Sequence, residues 1–232
     1  HSYTKLACFD PRPIIGNFER NIVMGKAEEN KQHKRLSLLN TAFELFTTKG
    51  VNKTSISEIS EQAGIAKGTF YLYFKDKYDI RNKLISHQSE LVLKKALEDL
   101  KESKIEAQYS GLEGFKKTFI FIADNIIDQF SENKALLTFI SKNLSWAIFK
   151  KALSSSGSDD SIDFNKAFYS LIERSGIQFK EPEIMLFMII ELISSISYSA
   201  ILYSDPLDID GLKPYLYNTI NYIIESHAVT EE

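Results

Sequence analysis

Ala63-Gly64-Ile65-Ala66-Lys67-Gly68-Thr69-Phe70-Tyr71-Leu72-Tyr73-Phe74 supplies, in order, the parts of a helix-turn-helix that reads DNA. Gly64 sits where one helix must end, and Lys67 opens a second helix expected over Lys67–Tyr73. Phe70 and Phe74, four apart, give that helix a core-facing edge, with Ile65 packing inward ahead of it. The opposite edge carries Lys67, Thr69, Tyr71 and Tyr73, and Gly68 leaves room for close backbone approach. Lys67 and Thr69, near the helix start, can reach base edges, while Tyr71 and Tyr73 carry hydroxyls long enough for phosphate oxygens. Either tyrosine alone is as well explained as an amphipathic surface residue. The combination of turn glycine, basic opening and paired tyrosines is not.

The flanks extend the same reading. Leu36, Leu39, Phe43 and Phe46 recur at three- and four-residue spacing, which predicts a helix over 31–48 with Lys31, Lys34 and Arg35 at its start. Lys49-Gly50 ends it, the glycine serving as a left-handed cap. Ser55-x-x-Glu58 is a capping box that starts the next helix ahead of Ile59 and Ala63. Lys77 adds a fixed charge on the flank and begins a long helix running towards Lys101.

These residues resemble the amino-terminal segment of TetR-family transcriptional regulators. The match rests on Gly50, Thr54-Ser55-Ile56, Glu58-Ile59, Ala63-Gly64-Ile65, Lys67-Gly68-Thr69-Phe70-Tyr71, Tyr73-Phe74-Lys75 and Lys77, about fifty residues in one register. The resemblance implies a homodimer whose two helix-turn-helix units bind a near-palindromic double-stranded DNA operator and repress nearby genes. It also implies a carboxy-terminal helical domain that binds a small molecule and lowers DNA affinity. By that correspondence Lys67, Gly68 and Thr69 hold base-reading positions. Tyr71, Leu72, Tyr73 and Lys77 hold backbone-contacting ones, and Ser55 belongs to the same face. Two departures stand out: Ala66 replaces a common capping serine, and Leu72 offers no hydrogen bond and would meet a thymine methyl or a sugar.

Charge distribution agrees with a DNA-facing head on a soluble body. Residues 31–84 hold ten Lys/Arg against five Asp/Glu, while residues 85–232 hold fourteen against twenty-two. The 232-residue chain is 44% apolar and 25% charged, which excludes wholesale disorder. Its single cysteine, Cys8, excludes an internal disulfide framework and a multi-cysteine zinc site, as expected for a cytoplasmic protein. The histidines, His1, His33, His87 and His227, are scattered without metal-ligand spacing, and no phosphate-binding glycine loop or nucleophile motif occurs. No cofactor, metal or enzymatic activity is therefore expected. Residues 1–23 lack a secretory apolar stretch and read as a leader, tag or upstream extension.

The expected fold is all-α: a poorly structured leader (1–30), a three-helix helix-turn-helix DNA-binding domain (31–76), and a helical regulatory and dimerisation domain (77–232) reached through the long helix. Within the last, helices are expected near 114–131 and 133–152, then a serine- and acid-rich loop over Ser154–Ser161 capping a further helix. The closing pair spans Glu181–Tyr203 and Ile209–Ser226. The apolar run Ile184–Leu202 carries Glu191, four serines and Tyr198 and lacks basic flanks, so it reads as a buried or interface helix rather than a membrane span. The resemblance gives the last two helices to the dimer interface.

Aromatic residues are dense between 115 and 190, and Phe121, Phe139, Trp146, Phe168 and Met188 are candidates for lining a cavity that takes a small apolar or aromatic effector. The same residues also serve as ordinary core. Glu191 is a candidate for pairing with a cationic effector, against the alternatives of bonding serines or facing a partner subunit. The function expected is a ligand-released repressor. The alternative is a DNA-tethered adaptor whose carboxy-terminal domain binds a protein.

Overall fold

The computed structural model describes residues 26–143 and 164–229, and their regular secondary structure is helical, with one isolated antiparallel bridge at Phe179 and Ala228. The chain divides into two compact units at Arg81/Asn82.

The first unit contains α1 (Lys26–Thr48), α2 (Ile56–Gln62), α3 (Lys67–Phe70) and the first turn of α4 (Lys77–Ser103). On α1, Leu39, Phe43 and Phe46 of the expected stripe are buried together with Leu38, Ala42 and Leu45, while Leu36 is half-buried. Helix α1 begins five residues before the start expected at residue 31, because polar residues with good helix propensity extend it without any need for burial. Gly50 adopts φ +87°, the left-handed conformation its place after α1 requires. The Ser55 hydroxyl accepts from the Glu58 amide at 3.2 Å and starts α2.

In the second unit α4 continues beside α5 (Ile105–Gln108), α6 (Gly111–Glu132), α7 (Lys134–Asn143), α8 (Phe164–Ser175), α9 (Pro182–Tyr203) and α10 (Ile209–His227). The loop Ser154–Ser161, the end of the helix expected to 152, and most of the leader lie outside the described residues. The core is built from Phe115, Phe119, Ile127, Leu137, Met185, Ile189, Leu216, Ile220 and Ile224, inward positions of four helices. Helix α9, the one described helix long and apolar enough to cross a membrane, packs on α6, α7 and α10. Its Met185, Leu186, Ile189, Ile193, Ser197, Ala200 and Ile201 are buried.

Polar ties hold α6 against its neighbours. Lys213 Nζ on α10 reaches Asp124 and Asp128 on α6 at 2.6 and 2.7 Å. Burial works against the Lys213 charge, but the two carboxylates outweigh it and raise its pKa. The Tyr217 hydroxyl donates to Asp124, and burial followed by that carboxylate pushes it far above the usual phenol range. Towards α4, Asn125 Nδ2 donates to Asp99 at 2.6 Å and Gln129 Nε2 to the Val92 carbonyl at 2.9 Å.

Gly114 marks a close approach. A Cβ there would stand 2.8 Å from the carbonyl carbon and oxygen of Tyr109, backbone atoms that cannot rotate away. Gly114→Ala is expected to lower unfolding free energy by about 1–3 kcal/mol despite alanine's better helix propensity. A urea midpoint unchanged or raised would refute that tight contact.

Candidate nucleic-acid interface and apolar cavity

The helix-turn-helix is set by backbone bonds that only certain residues permit. Gly64, at φ +67°, follows α2 and donates to the Glu61 carbonyl at 3.1 Å, while Ile65 donates to the Ser60 carbonyl at 2.9 Å. This is a Schellman end, satisfying carbonyls that α2 would otherwise leave open. From α1, Ser37 Oγ donates to the Ala63 carbonyl at 3.2 Å and fixes the turn to the scaffold. Lys49 pairs with Glu58, and the Glu58 carboxyl is held below its ordinary pKa first by that ammonium and also by the Ser55 backbone.

Helix α3 is shorter than its sequence pattern implied. Only Lys67–Phe70 is α-helical, and the chain then tightens, with Leu72 donating to Thr69 and Tyr73 to Phe70, both three residues back. Ala66 provides no side-chain cap, so nothing polar fixes the α3 start. The far end is governed by Phe74, which must return to the core before α4 begins. Phe70 and Phe74 are fully buried, with ring centroids 5.6 Å apart.

That anchoring sorts the site residues. Lys67, Gly68, Tyr71 and Leu72 are exposed, Leu72 at 79%, while Thr69 and Tyr73 are half-buried. The Tyr71 ring stands edge-on to Phe70, at 5.6 Å and 81°, so a buried residue orients an exposed one. Ser55 is exposed and already engaged as the α2 cap. Lys77 has backbone partners within its own unit. It is half-buried, and its ammonium donates to the carbonyls of Val51, Asn52 and Thr54.

The second unit contains a cavity of about 150 Å³ between α4, α6, α7, α8 and α9. Its described walls are mostly aliphatic, including Leu93, Ile122, Ile126, Ile189 and Ile193, with Phe119, Phe130 and Phe168 as the rings. Polar atoms come from Ser86, Ser89 and Glu90 on α4 and Ser194 on α9. Ser86 donates to the Asn82 carbonyl and Ser194 to Ser141, but the buried Ser89 hydroxyl has no hydrogen-bond partner among the described residues.

Of the sequence-stated candidates, Phe168 lines this cavity. Phe139 is buried outside the described lining, Phe121 and Met188 are half-buried and also outside it, and Trp146 lies outside the described residues. Glu191 is exposed, which removes it from the described cavity. The reason is helical phase. Leu186, Ile189, Ile190, Ile193 and Ser194 share one face of α9, and Glu191 lies about 200° round from Ile189. Phe121 stands at the same offset from Phe119. The α4 wall went unrecognised because it mixes serines with aliphatics, although Ser86, Ser89, Glu90, Leu93 and Leu97 follow helical spacing.

Comparison with known proteins agrees with this geometry. Residues 38–84 match the family described as bacterial regulatory proteins, tetR family. The chain is 35% identical over 74 residues to the fatty acid metabolism regulator protein of Bacillus subtilis, covering 32% of this chain and 38% of that protein. The alignment thus spans well under two thirds of that relative. Among solved structures, a TetR-family regulator from Shewanella sp. PV-4 superposes with a TM-score of 0.58 at 15% identity, covering 85% of this chain and 99% of that one. The transcriptional regulator FadR from Bacillus subtilis, in complex with stearoyl-CoA, gives 0.56 at 19% identity, covering 80% and 96%. Identities this low establish the shared fold alone.

Exposure without a packing role makes Leu72 separable from stability. Leu72→Ala is expected to move the unfolding free energy by no more than about 0.5 kcal/mol while weakening DNA binding measurably. Unchanged DNA affinity in a correctly folded variant would remove Leu72 from the interface.

Proposed function

We propose that the chain, whose residues 38–84 match the tetR family of bacterial regulatory proteins, is a homodimeric, sequence-specific DNA-binding repressor released by an amphipathic effector. The observation that carries the DNA-binding half is the exposed set Lys67, Gly68, Tyr71 and Leu72, held outward by the buried Phe70 and Phe74. Lys67 and Thr69 are assigned to base edges, and Tyr71, Leu72 and Tyr73 to sugar and phosphate.

The proposed dimer has a candidate surface. The outward face of α9 exposes Ile184 (50%), Phe187, Glu191 and Ser195, and α10 exposes Tyr215 (67%) and Tyr222 (71%). Aromatic and aliphatic exposure of this kind on two neighbouring helices suits an isologous contact, with Glu191 towards the partner subunit. Ile184→Arg is expected to yield a folded monomer by light scattering, with cooperative binding to a two-half-site duplex lost. A dimer persisting in that variant would place the interface elsewhere.

The cavity supports an effector with an apolar chain. Its aliphatic walls favour a flexible hydrocarbon over a planar ring system. The stearoyl-CoA complex of the structurally similar FadR makes a long-chain acyl thioester the first compound to test. Because α4 carries both this wall and the link to the DNA-binding unit, an occupant that favours a different α4 position lowers DNA affinity by its preference for that state, typically about 1–3 kcal/mol. The adaptor reading has less support, since a protein partner needs no apolar cavity between helices.

Stearoyl-CoA added to a protein–duplex complex is expected to raise the apparent DNA dissociation constant by about 5–150-fold, with free CoA inert. Ile190→Trp, filling the cavity from a half-buried wall position, is expected to keep DNA binding and abolish the response. Release by free CoA, or an undiminished response in Ile190→Trp, would contradict the assigned site.

A further inference from the structure

Lys77 holds a position that the resemblance gives to DNA backbone contact, yet its surroundings describe another task. Its Nζ lies 3.0 Å from the Val51 carbonyl, 3.1 Å from that of Asn52 and 3.2 Å from that of Thr54. An ammonium has three donors and no acceptor, so three carbonyls saturate it. A phosphate oxygen gains Lys77 only by displacing one of them.

Both ends of this tie are rigid. The carbonyls belong to the turn that leaves α1 at Gly50 and delivers Ser55, the cap of α2. Within that turn Thr54 is buried, its hydroxyl donates to the Gly50 carbonyl at 2.9 Å, and its amide donates to the Val51 carbonyl at 3.3 Å. On the other side Lys77 is the first residue of α4. The Asp76 carboxylate accepts from the amides of Tyr78 and Asp79 at 2.7 and 2.8 Å, and Asp79 reaches back to the Lys75 amide at 3.0 Å. The α4 start is therefore a fixed platform, and the Lys77 ammonium is the tether from it to the loop that begins the helix-turn-helix.

We infer that Lys77 is a positioning residue: its three-carbonyl tether sets the register of α2 and α3 against the start of α4. This rests on the DNA-binding reading above. It differs from a phosphate contact in what it predicts, because a tether acts through geometry and a phosphate contact through released counterions.

The test compares wild type, Lys77→Met and Lys77→Arg on the duplex that the wild-type protein enriches from a random-sequence pool, across a salt series. Lys77→Met is expected to lower affinity about tenfold or more while leaving the slope of log K against log salt unchanged. Lys77→Arg keeps the charge, but a planar guanidinium fits three converging carbonyls poorly, so it is expected to lose affinity as well. Amide exchange at residues 51–56 is expected to accelerate in both variants, without loss of exchange protection in α6 and α9. A slope reduced by about 0.9 with unchanged exchange in the loop would identify a phosphate contact and overturn the proposal. Full rescue by Lys77→Arg, or unaltered affinity in Lys77→Met, would do the same. If the wild type enriches no sequence, the DNA-binding reading fails by itself; the exchange arm, which needs no DNA, still decides the tether.

Discussion

Burial of Phe70 and Phe74 is the constraint on which the DNA-facing surface depends. Helix α3 is four residues long, lacks a side-chain cap, and on intrinsic grounds would not persist in water. Two fully buried rings hold it in place, and removing either is worth about 3–5 kcal/mol, several times what a cap or a single hydrogen bond supplies. With those rings inside, Lys67, Gly68, Tyr71 and Leu72 have no choice but to face outward. The exposed side chains are thus placed by residues that are themselves buried.

The same logic of indirect placement runs into α4. This helix starts on the Asp76 cap, carries Lys77 at its first position, and continues without a break to Ser103. Its residues from Ser86 to Leu97 form one wall of the apolar cavity, including the Ser89 hydroxyl. The same helix therefore bears Lys77 at its start and, further along, residues that line the cavity.

Local chemistry made the amino-terminal unit legible in the sequence. The Ser55–Glu58 cap, the Gly50 and Gly64 turns and the Phe70/Phe74 pair each act within a few residues of themselves, so spacing alone exposes them. The carbonyl partners of Lys77 are not legible in the sequence, because they stand about 25 residues away and backbone carbonyls leave no trace in side-chain patterns. In the second unit the helices were legible from periodicity, whereas the cavity was not. Aromatic residues chosen for their chemistry, such as Phe121 and Phe139, proved to occupy other faces, because lining a cavity depends on helical phase and on which five helices meet. Glu191 shows the limit plainly. Its neighbours along the chain are apolar, yet its own face of α9 is the exposed one.

The most direct test of the account is selection of duplexes from a random pool by the full chain, at low and moderate salt, followed by sequencing. The account predicts enrichment, persisting at moderate salt, of a two-fold symmetric motif with half-sites about one DNA turn apart, roughly 34–36 Å. Recovery of DNA without a shared motif, vanishing as salt rises, would mean a head that holds phosphates but does not read sequence, and would contradict the central claim.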